Sequence, residues 1–420
     1  MYNSARISAR IEKFTSHGSQ PHLPILINNN QTFNFTPTRE SVEDTIVEKY
    51  KLVSEVGATA LRHIKLIKLL PLDPDRQSWN RQQISGSNET QTSISIILEE
   101  FIIGSAPHFV ALSYVWGNEN SGTVIKVNGK PFAIRENLMM ALMQLQILCP
   151  NTYIWTDAIC INQSNEEEKS YIVQHMGQIF HAAQKVYAWL GLADPGIDGP
   201  GDSSHALWDH LEEIGNLFWD EAGHDNRLDQ MPLNLTPILD KLLPELNARL
   251  EGGFPTLAYS RFSNRVYWQR VWVLQEVYLA RELIFCCGSK TMISKNLAGA
   301  LILLEAYQKY IASRGMEAGS PKLQEFAFTA PCYPEMHRML IYTSIYPAEV
   351  HSLRIAMTNF CVKERPRGAQ STDPRDMVFG LLGFANAAER EYIKADYKKA
   401  VQEVYRDTTR ALMQRASPIS

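Results

Sequence analysis

Trp272 and Glu276 stand four residues apart, with Trp268 four residues earlier. On a helix this spacing puts all three on one face. A carboxylate framed by indoles can hold a sugar ring against a flat apolar wall. It can also stabilise the positive charge that develops as a glycosidic bond breaks. The bland alternative is a helix-face glutamate in a structural hydrogen bond, with the tryptophans in the core. A second carboxylate, Asp157, follows the apolar run Tyr153 to Trp155, and Asn162 and Gln163 come next in the same loop. Ligands of open α/β sheets sit just beyond the carboxyl ends of strands, which is where Asp157 falls. The two amides can hold a ligand, or they can brace the loop by satisfying backbone donors. Ser113, Tyr114 and Trp116 end a third apolar run ahead of Gly117, whose missing side chain lets another backbone come close. They can line the same cleft; equally, Trp116 can be a packing residue.

Other chemistries find less support. Cys160 has no histidine nearby in its motif, so a buried, inert thiol is expected. The six cysteines are scattered, and none forms C-x-x-C. Neither a zinc site nor a disulfide framework follows from them. Gly117 and Gly122 have a phosphate loop's glycine spacing but lack the Lys-Ser/Thr that should follow. Lysine and arginine number 41 against 45 acidic residues, a net charge of −4, which is no footprint for nucleic acid. Met1 to Phe14 has alternating charge and no apolar segment, so no signal peptide is expected there. No stretch approaches the roughly eighteen apolar residues of a membrane span. A reducing, cytoplasmic setting is the default expectation.

The elements that must position these residues can be read from periodicity. His63 to Leu69 and the start of Ser93 to Phe101 alternate as strands do, and Val110 to Trp116 is a short, mostly apolar strand. Asn128-Gly129 between apolar runs predicts a hairpin. Asn137 is placed to cap a helix running to about Leu148, with Leu138, Leu142 and Leu145 on one face. Tyr153 to Trp155 is a strand. Glu166 to Ala183 is a helix with an apolar stripe of Ile172, Met176, Ile179 and Phe180. Lys185 to Leu190 is the next strand. Tyr267 to Arg281 reads as one helix and Leu283 to Cys287 as a strand. This alternation predicts a largely parallel sheet, with the Tyr153 and Val186 strands as neighbours joined by a crossing helix. The Gly/Pro/Asp border at Asp194 to Asp202 predicts an inserted helical appendage reaching Ser263, replaceable by a linker. Thr15 to Glu40 reads as poorly ordered, and Asp73 to Gln91 as loop.

Four strings resemble the fungal heterokaryon incompatibility (HET) domain family. They are A-L-S-Y-V-W-G (Ala111 to Gly117), W-T-D-A-I-C-I-N-Q (Trp155 to Gln163), A-x-x-V-Y-A-W-L-G (Ala183 to Gly191) and R-V-W-V-L-Q-E (Arg270 to Glu276). The flanks K-L-I-K-L-L-P (from Lys65) and D-P-R-D-M-V-F-G-L-L-G (Asp373 to Gly383) fit as well; Arg375 and Asp376 are read as structural, bridging the C-terminal helices to the core. The resemblance implies a division into an N-terminal segment (1–60), a HET domain (61–290) and a mainly helical remainder (291–420). The HET domain has its core at 109–288 and its insertion at about 192–263. It also implies a role in non-self recognition and programmed cell death between fungal individuals.

HET domains are in turn distantly similar to Toll-type (TIR) domains, which implies an α/β, TIR/flavodoxin-like, mostly parallel sheet with flanking helices. Catalytic TIR domains cleave NAD at its nicotinamide–ribose bond with a glutamate of the W-x-x-E region. By that likeness Glu276 is the catalytic carboxylate, and Asp157, Trp272, Asn162, Ser113 and Tyr114 line the NAD site. NAD is then a substrate, with no resident cofactor and no metal. Other TIR domains only bind partners, so a non-catalytic signalling module is the alternative. No oligomerisation module or repeat array is visible, so the expected partners are a second copy or other incompatibility proteins, not nucleic acid or membrane.

Overall fold

The computed structural model describes residues 63–71, 94–118, 122–196, 201, 203–223, 235–251, 254–314, 339–340, 352–362 and 369–413. The expectations for Thr15 to Glu40 and for Asp73 to Gln91 lie outside the described residues, as does the N-terminal segment 1–60.

Among the described residues nine strands form one sheet: β1 (His63–Leu69), β2 (Ser95–Ile102), β3 (Phe109–Tyr114), β4 (Gly122–Val127), β5 (Lys130–Arg135), β6 (Tyr153–Trp155), β7 (Val186–Trp189), β8 (Leu283–Cys287) and β9 (Lys290–Ile293). Their order is β5-β4-β2-β1-β6-β3-β7-β8-β9. The expected mostly parallel sheet is thereby corrected to a mixed one. Four pairings are parallel (β2 with β4, β3 with β6, β3 with β7, β7 with β8), and four are antiparallel (β1 with β2, β1 with β6, β4 with β5, β8 with β9). The reason lies in the connections. A parallel join needs a long crossover, whereas a two-residue turn forces its strands antiparallel. Asn128-Gly129 joins β4 to β5 with both residues at positive φ, 49° and 78°, as a tight hairpin turn requires. Gly288-Ser289 joins β8 to β9 in the same short way.

A second correction concerns β6 and β7. They run parallel in one sheet, but β3 lies between them. All six residues of β3 are buried, and a strand that is apolar on both faces is most stable at the centre of a sheet. Helix α1 (Glu136–Leu148) precedes β6, the short α2 (Asp157–Cys160) follows it, and α3 (Glu166–Ala182) crosses from there to β7. The Asn165 side chain caps α3 by accepting from the Glu167 and Glu168 amides. Glu166, Glu167 and Glu168 then lie in the first turn, where acidic residues favour the helix dipole. Asn137 does not cap α1. Arg135 holds the capping position, and the Asn137 amide instead donates to the Val115 carbonyl (2.6 Å) and accepts from the Trp189 indole (2.9 Å). Those bonds tie α1 to the ends of β3 and β7.

Beyond β7 come α4 (Ser204–Ala222), α5 (Thr236–Glu251), α6 (Thr256–Ser263) and α7 (Val273–Tyr278). After β9 come α8 (Ser294–Arg314), α9 (Leu353–Met357), α10 (Asp376–Phe379), α11 (Ala387–Tyr392) and α12 (Val401–Met413). Helix α4 buries Trp208, Leu211, Ile214, Phe218 and Trp219, and the Trp219 indole reaches the Lys295 carbonyl in α8 at 2.9 Å. No helix among the described residues is long and apolar enough to cross a membrane.

The single helix expected over Tyr267 to Arg281 is broken. A 3₁₀ turn covers Val266–Gln269, Arg270 is extended, and α7 starts only at Val273. Gln370 pairs with Arg270 as an isolated parallel bridge; its amide donates to the Gln269 carbonyl (2.6 Å), and its carbonyl accepts from Val271 (3.0 Å). Backbone bonds made with a distant segment therefore replace the helical ones. Trp268 is consequently not on a common helix face with Trp272 and Glu276.

Candidate active site

Glu276 points inward from α7 to the carboxyl end of β3, where the Ser113 hydroxyl donates to its Oε2. Ser113 also shares a hydrogen bond with the Tyr267 hydroxyl at 2.8 Å. All three are buried: Glu276 is 6% exposed, Ser113 and Tyr267 1% each. Burial pushes the Glu276 carboxyl up to about 7, against the Arg270 guanidinium and the Ser113 bond, which pull it down; the charge of Asp157 adds to the rise. The Tyr267 hydroxyl is held well above the phenol range, first by burial and then by Glu276.

Asp157 begins α2 directly beyond β6. Its Oδ2 accepts from the Trp116 indole (2.7 Å) and its Oδ1 from the Ala158 amide (2.7 Å). Burial raises this carboxyl too, with Arg270 and both hydrogen bonds opposing. Tyr114, at the end of β3, is raised well above its ordinary value by burial and by Asp157. Its carbonyl accepts from the Arg270 guanidinium. Asp157 and Trp116 are half-buried, and Arg135 lies over the Trp116 ring at 5.2 Å. The cluster thus runs from a buried floor of Ser113, Tyr267 and Glu276 to a partly open rim of Asp157 and Trp116. It can hold two carboxyls, both raised by burial, beside one cation, Arg270. A cavity of about 390 Å³ beside Val277, Glu282 and Lys295 lies at the amino end of β8, and Glu276 does not line it.

Of the residues expected to line the site, Ser113, Tyr114, Asp157 and Glu276 come together. Trp272 turns the other way: its indole donates to Asp376 Oδ2 at 3.2 Å. Asn162 is exposed and braces its own loop, accepting from the Ser164 amide at 3.2 Å, while Gln163 donates to the Asp157 carbonyl at 3.0 Å. Trp268 is a core residue, 2% exposed, bonded to the Phe262 carbonyl and packed edge-on against Phe262 and Tyr267. Burial raises the Cys160 thiol to about 12, in keeping with an inert core cysteine. Two members of the cluster lie outside the expected set, Arg270 and Tyr267. Arg270 opens the R-V-W-V-L-Q-E string, and a cation so close to a candidate carboxylate was the available signal.

This cluster draws on three of the four strings quoted above. Residues 109–276 match the heterokaryon incompatibility protein (HET) family model. The HET segment begins with β3 and ends on Glu276, so it contains every member of the cluster. A curated relative, Heterokaryon incompatibility protein 6, OR allele, of Neurospora crassa, is 26% identical over an alignment of 339 residues that covers 74% of this chain and 48% of the relative. The chain therefore spans about half the length of that relative. No solved structure matches.

Glu276 and Asp157 share the field of Arg270, which fixes the sign of one result. Arg270→Gln should move the Glu276 titration above about 7, because the guanidinium favours the ionised form. Carbon NMR of isotope-labelled glutamate, assigned with Glu276→Gln, reads that midpoint. An unchanged or lower midpoint would place Arg270 outside the electrostatics of the site.

Proposed function

We propose that this protein acts in fungal heterokaryon incompatibility, and that its HET segment triggers cell death by hydrolysing NAD. The family match and the Neurospora relative support the role in incompatibility. The hydrolytic reading rests on one observation: Glu276, buried against the end of β3 and raised to about 7, shares the field of Arg270 with a second carboxyl, Asp157, beyond the end of the adjacent parallel strand β6.

In this reaction the bond between C1′ of the ribose and the nicotinamide nitrogen breaks. The electron pair goes to the ring nitrogen, so the cationic nicotinamide leaves neutral. Ionised Glu276 stabilises the positive charge left on the ribose. Water adds to C1′ and gives its proton to Asp157, which releases it to solvent. NAD and water thus yield ADP-ribose, nicotinamide and one proton. Ser113, itself held by Tyr267, keeps the Glu276 carboxylate in place, and Arg270 favours its ionised form.

Purified protein incubated with NAD, alone and after forced clustering, should release nicotinamide and ADP-ribose in equal amounts. No release in either state overturns the hydrolytic reading. A second reading is favoured by the burial of Glu276 and by the turning away of Trp272. In it the HET segment is a non-catalytic signalling module that acts by self-association or by binding another incompatibility protein. Full toxicity without NAD loss would favour it.

A further inference from the structure

Helix α7, which carries Glu276, has six residues. A helix that short is not stable alone, and its orientation must come from its neighbours. On the inner side the neighbour is β3. On the outer side it is a segment that follows the HET match by about a hundred residues. Gln370 pins the backbone on both sides of Arg270. Asp376 accepts from the Trp272 indole. The Gly383 amide donates to Gln275 Oε1 at 3.0 Å, and Gln275 is fully buried. Phe384 stacks on Tyr278 with ring centres 4.7 Å apart. The outward residues of the motif are thus held by 370–384, while Glu276 alone faces Ser113.

That holding segment is itself fixed to the HET segment. Asp376 receives the Tyr397 hydroxyl at 2.7 Å on its other oxygen. Tyr397 donates its amide to Ser170 (3.2 Å), and Ala395 donates to the Gln174 side chain (2.7 Å), both on α3. Arg375 pairs with Asp373 and donates to the carbonyls of Tyr397 and Lys399. A closed frame results: α3 holds Tyr397, Tyr397 holds Asp376, Asp376 holds Trp272, and Trp272 opens α7.

We propose that residues 369–397 complete the site, and that Asp376 is a positioning residue that sets the Glu276 carboxyl through Trp272. The inference rests on the hydrolytic reading only in taking Glu276 as the reacting carboxylate. Asp376→Leu keeps the approximate size of the side chain and removes both acceptor oxygens, so neither Trp272 nor Tyr397 finds its partner. Trp272→Phe removes the Trp272 bond alone, from the other end.

Each variant should lower kcat for NAD hydrolysis about 10- to 100-fold, the effect of a small misplacement of a reacting group. KM should stay within about twofold. Each should also move the Glu276 titration by about half a unit or more. The double variant should be no worse than Asp376→Leu, since Trp272→Phe acts on a bond that Asp376→Leu already removes. A merely structural role would lower the melting temperature but leave kcat per folded molecule and the Glu276 midpoint unchanged; that result overturns the proposal. Should Asp376→Leu fail to fold, Tyr397→Phe removes a single hydroxyl from the frame and should shift kcat and midpoint the same way, by less. If the unaltered protein turns over no NAD, the hydrolytic reading fails, but the Glu276 midpoint in the variants still tests the positioning. If NAD is turned over and the variants match the unaltered protein in both readouts, the positioning fails and the hydrolytic reading stands.

Discussion

Glu276→Gln should abolish NAD turnover and, at the same time, stabilise the protein above neutral pH. The glutamine keeps the shape and can still bond Ser113, but it cannot offset charge on a ribose; a loss of about a thousandfold or more is expected. The stability gain follows from the titration. The Glu276 carboxyl rises from 4.5 unfolded to about 7 folded. Between those values the folded form binds the proton more tightly, so stability falls as pH rises through the window and the loss is complete above it. The shift is worth at most about 3 kcal/mol. The variant should therefore match the unaltered protein below about pH 4.5 and exceed it at about pH 8, a pattern that denaturant unfolding at the two pH values reads. A stability difference independent of pH would mean that Glu276 is not buried as an acid. A fully toxic variant without NAD turnover would move the case to the signalling module. The same titration predicts that kcat/KM rises with pH through about 7, where Glu276 ionises.

Gly215→Ala should destabilise the protein by about 2 kcal/mol, although alanine is the better helix former. An added Cβ would lie 2.3 Å from the Asn296 carbonyl oxygen and 2.9 Å from its carbon. That obstacle is the backbone of α8, not the end of a flexible side chain, so α4 and α8 must move apart. Overpacking of this kind costs about 1–3 kcal/mol, and relief of glycine's helical penalty returns up to about 1 kcal/mol. Separating the helices would also stretch the bond from Asn296 to Asn216 (2.8 Å) and that from Trp219 to Lys295. Chemical denaturation reads the difference; an unchanged midpoint would show that the two helices are not in contact in solution. A Cβ added at Gly299, on the opposite helix, would lie 2.6 Å from the Trp219 indole nitrogen, and its replacement should act in the same direction. This contact bears on the segment read as a replaceable appendage. With Trp208 and Trp219 fully buried in α4, a linker in place of 194–263 would uncover the facing side of α8 and lower solubility.

Much of this was legible in the residues. The apolar run of β3, the Asn128-Gly129 turn and the stripe of α3 are local patterns, and local patterns follow from backbone sterics and the periods of 2 and 3.6. The HET strings also marked Ser113, Tyr114, Asp157 and Glu276 as one group, and the structure gathers those four. What the residues did not contain was the order of the strands. Whether β3 lies beside or between β6 and β7 depends on which arrangement covers its two apolar faces, a property of the whole sheet. The break at Arg270 is of the same kind. Its periodicity is helical, but Gln370 supplies backbone bonds from a hundred residues away and overrides local propensity. Trp272 has the spacing of a stacking wall, and only an acceptor 104 residues distant, Asp376, turns it away from the cleft. Ser113 and Glu276 are 163 residues apart in sequence, so their hydrogen bond, and with it the dry setting that raises the carboxyl, exists only once the sheet and α7 have packed.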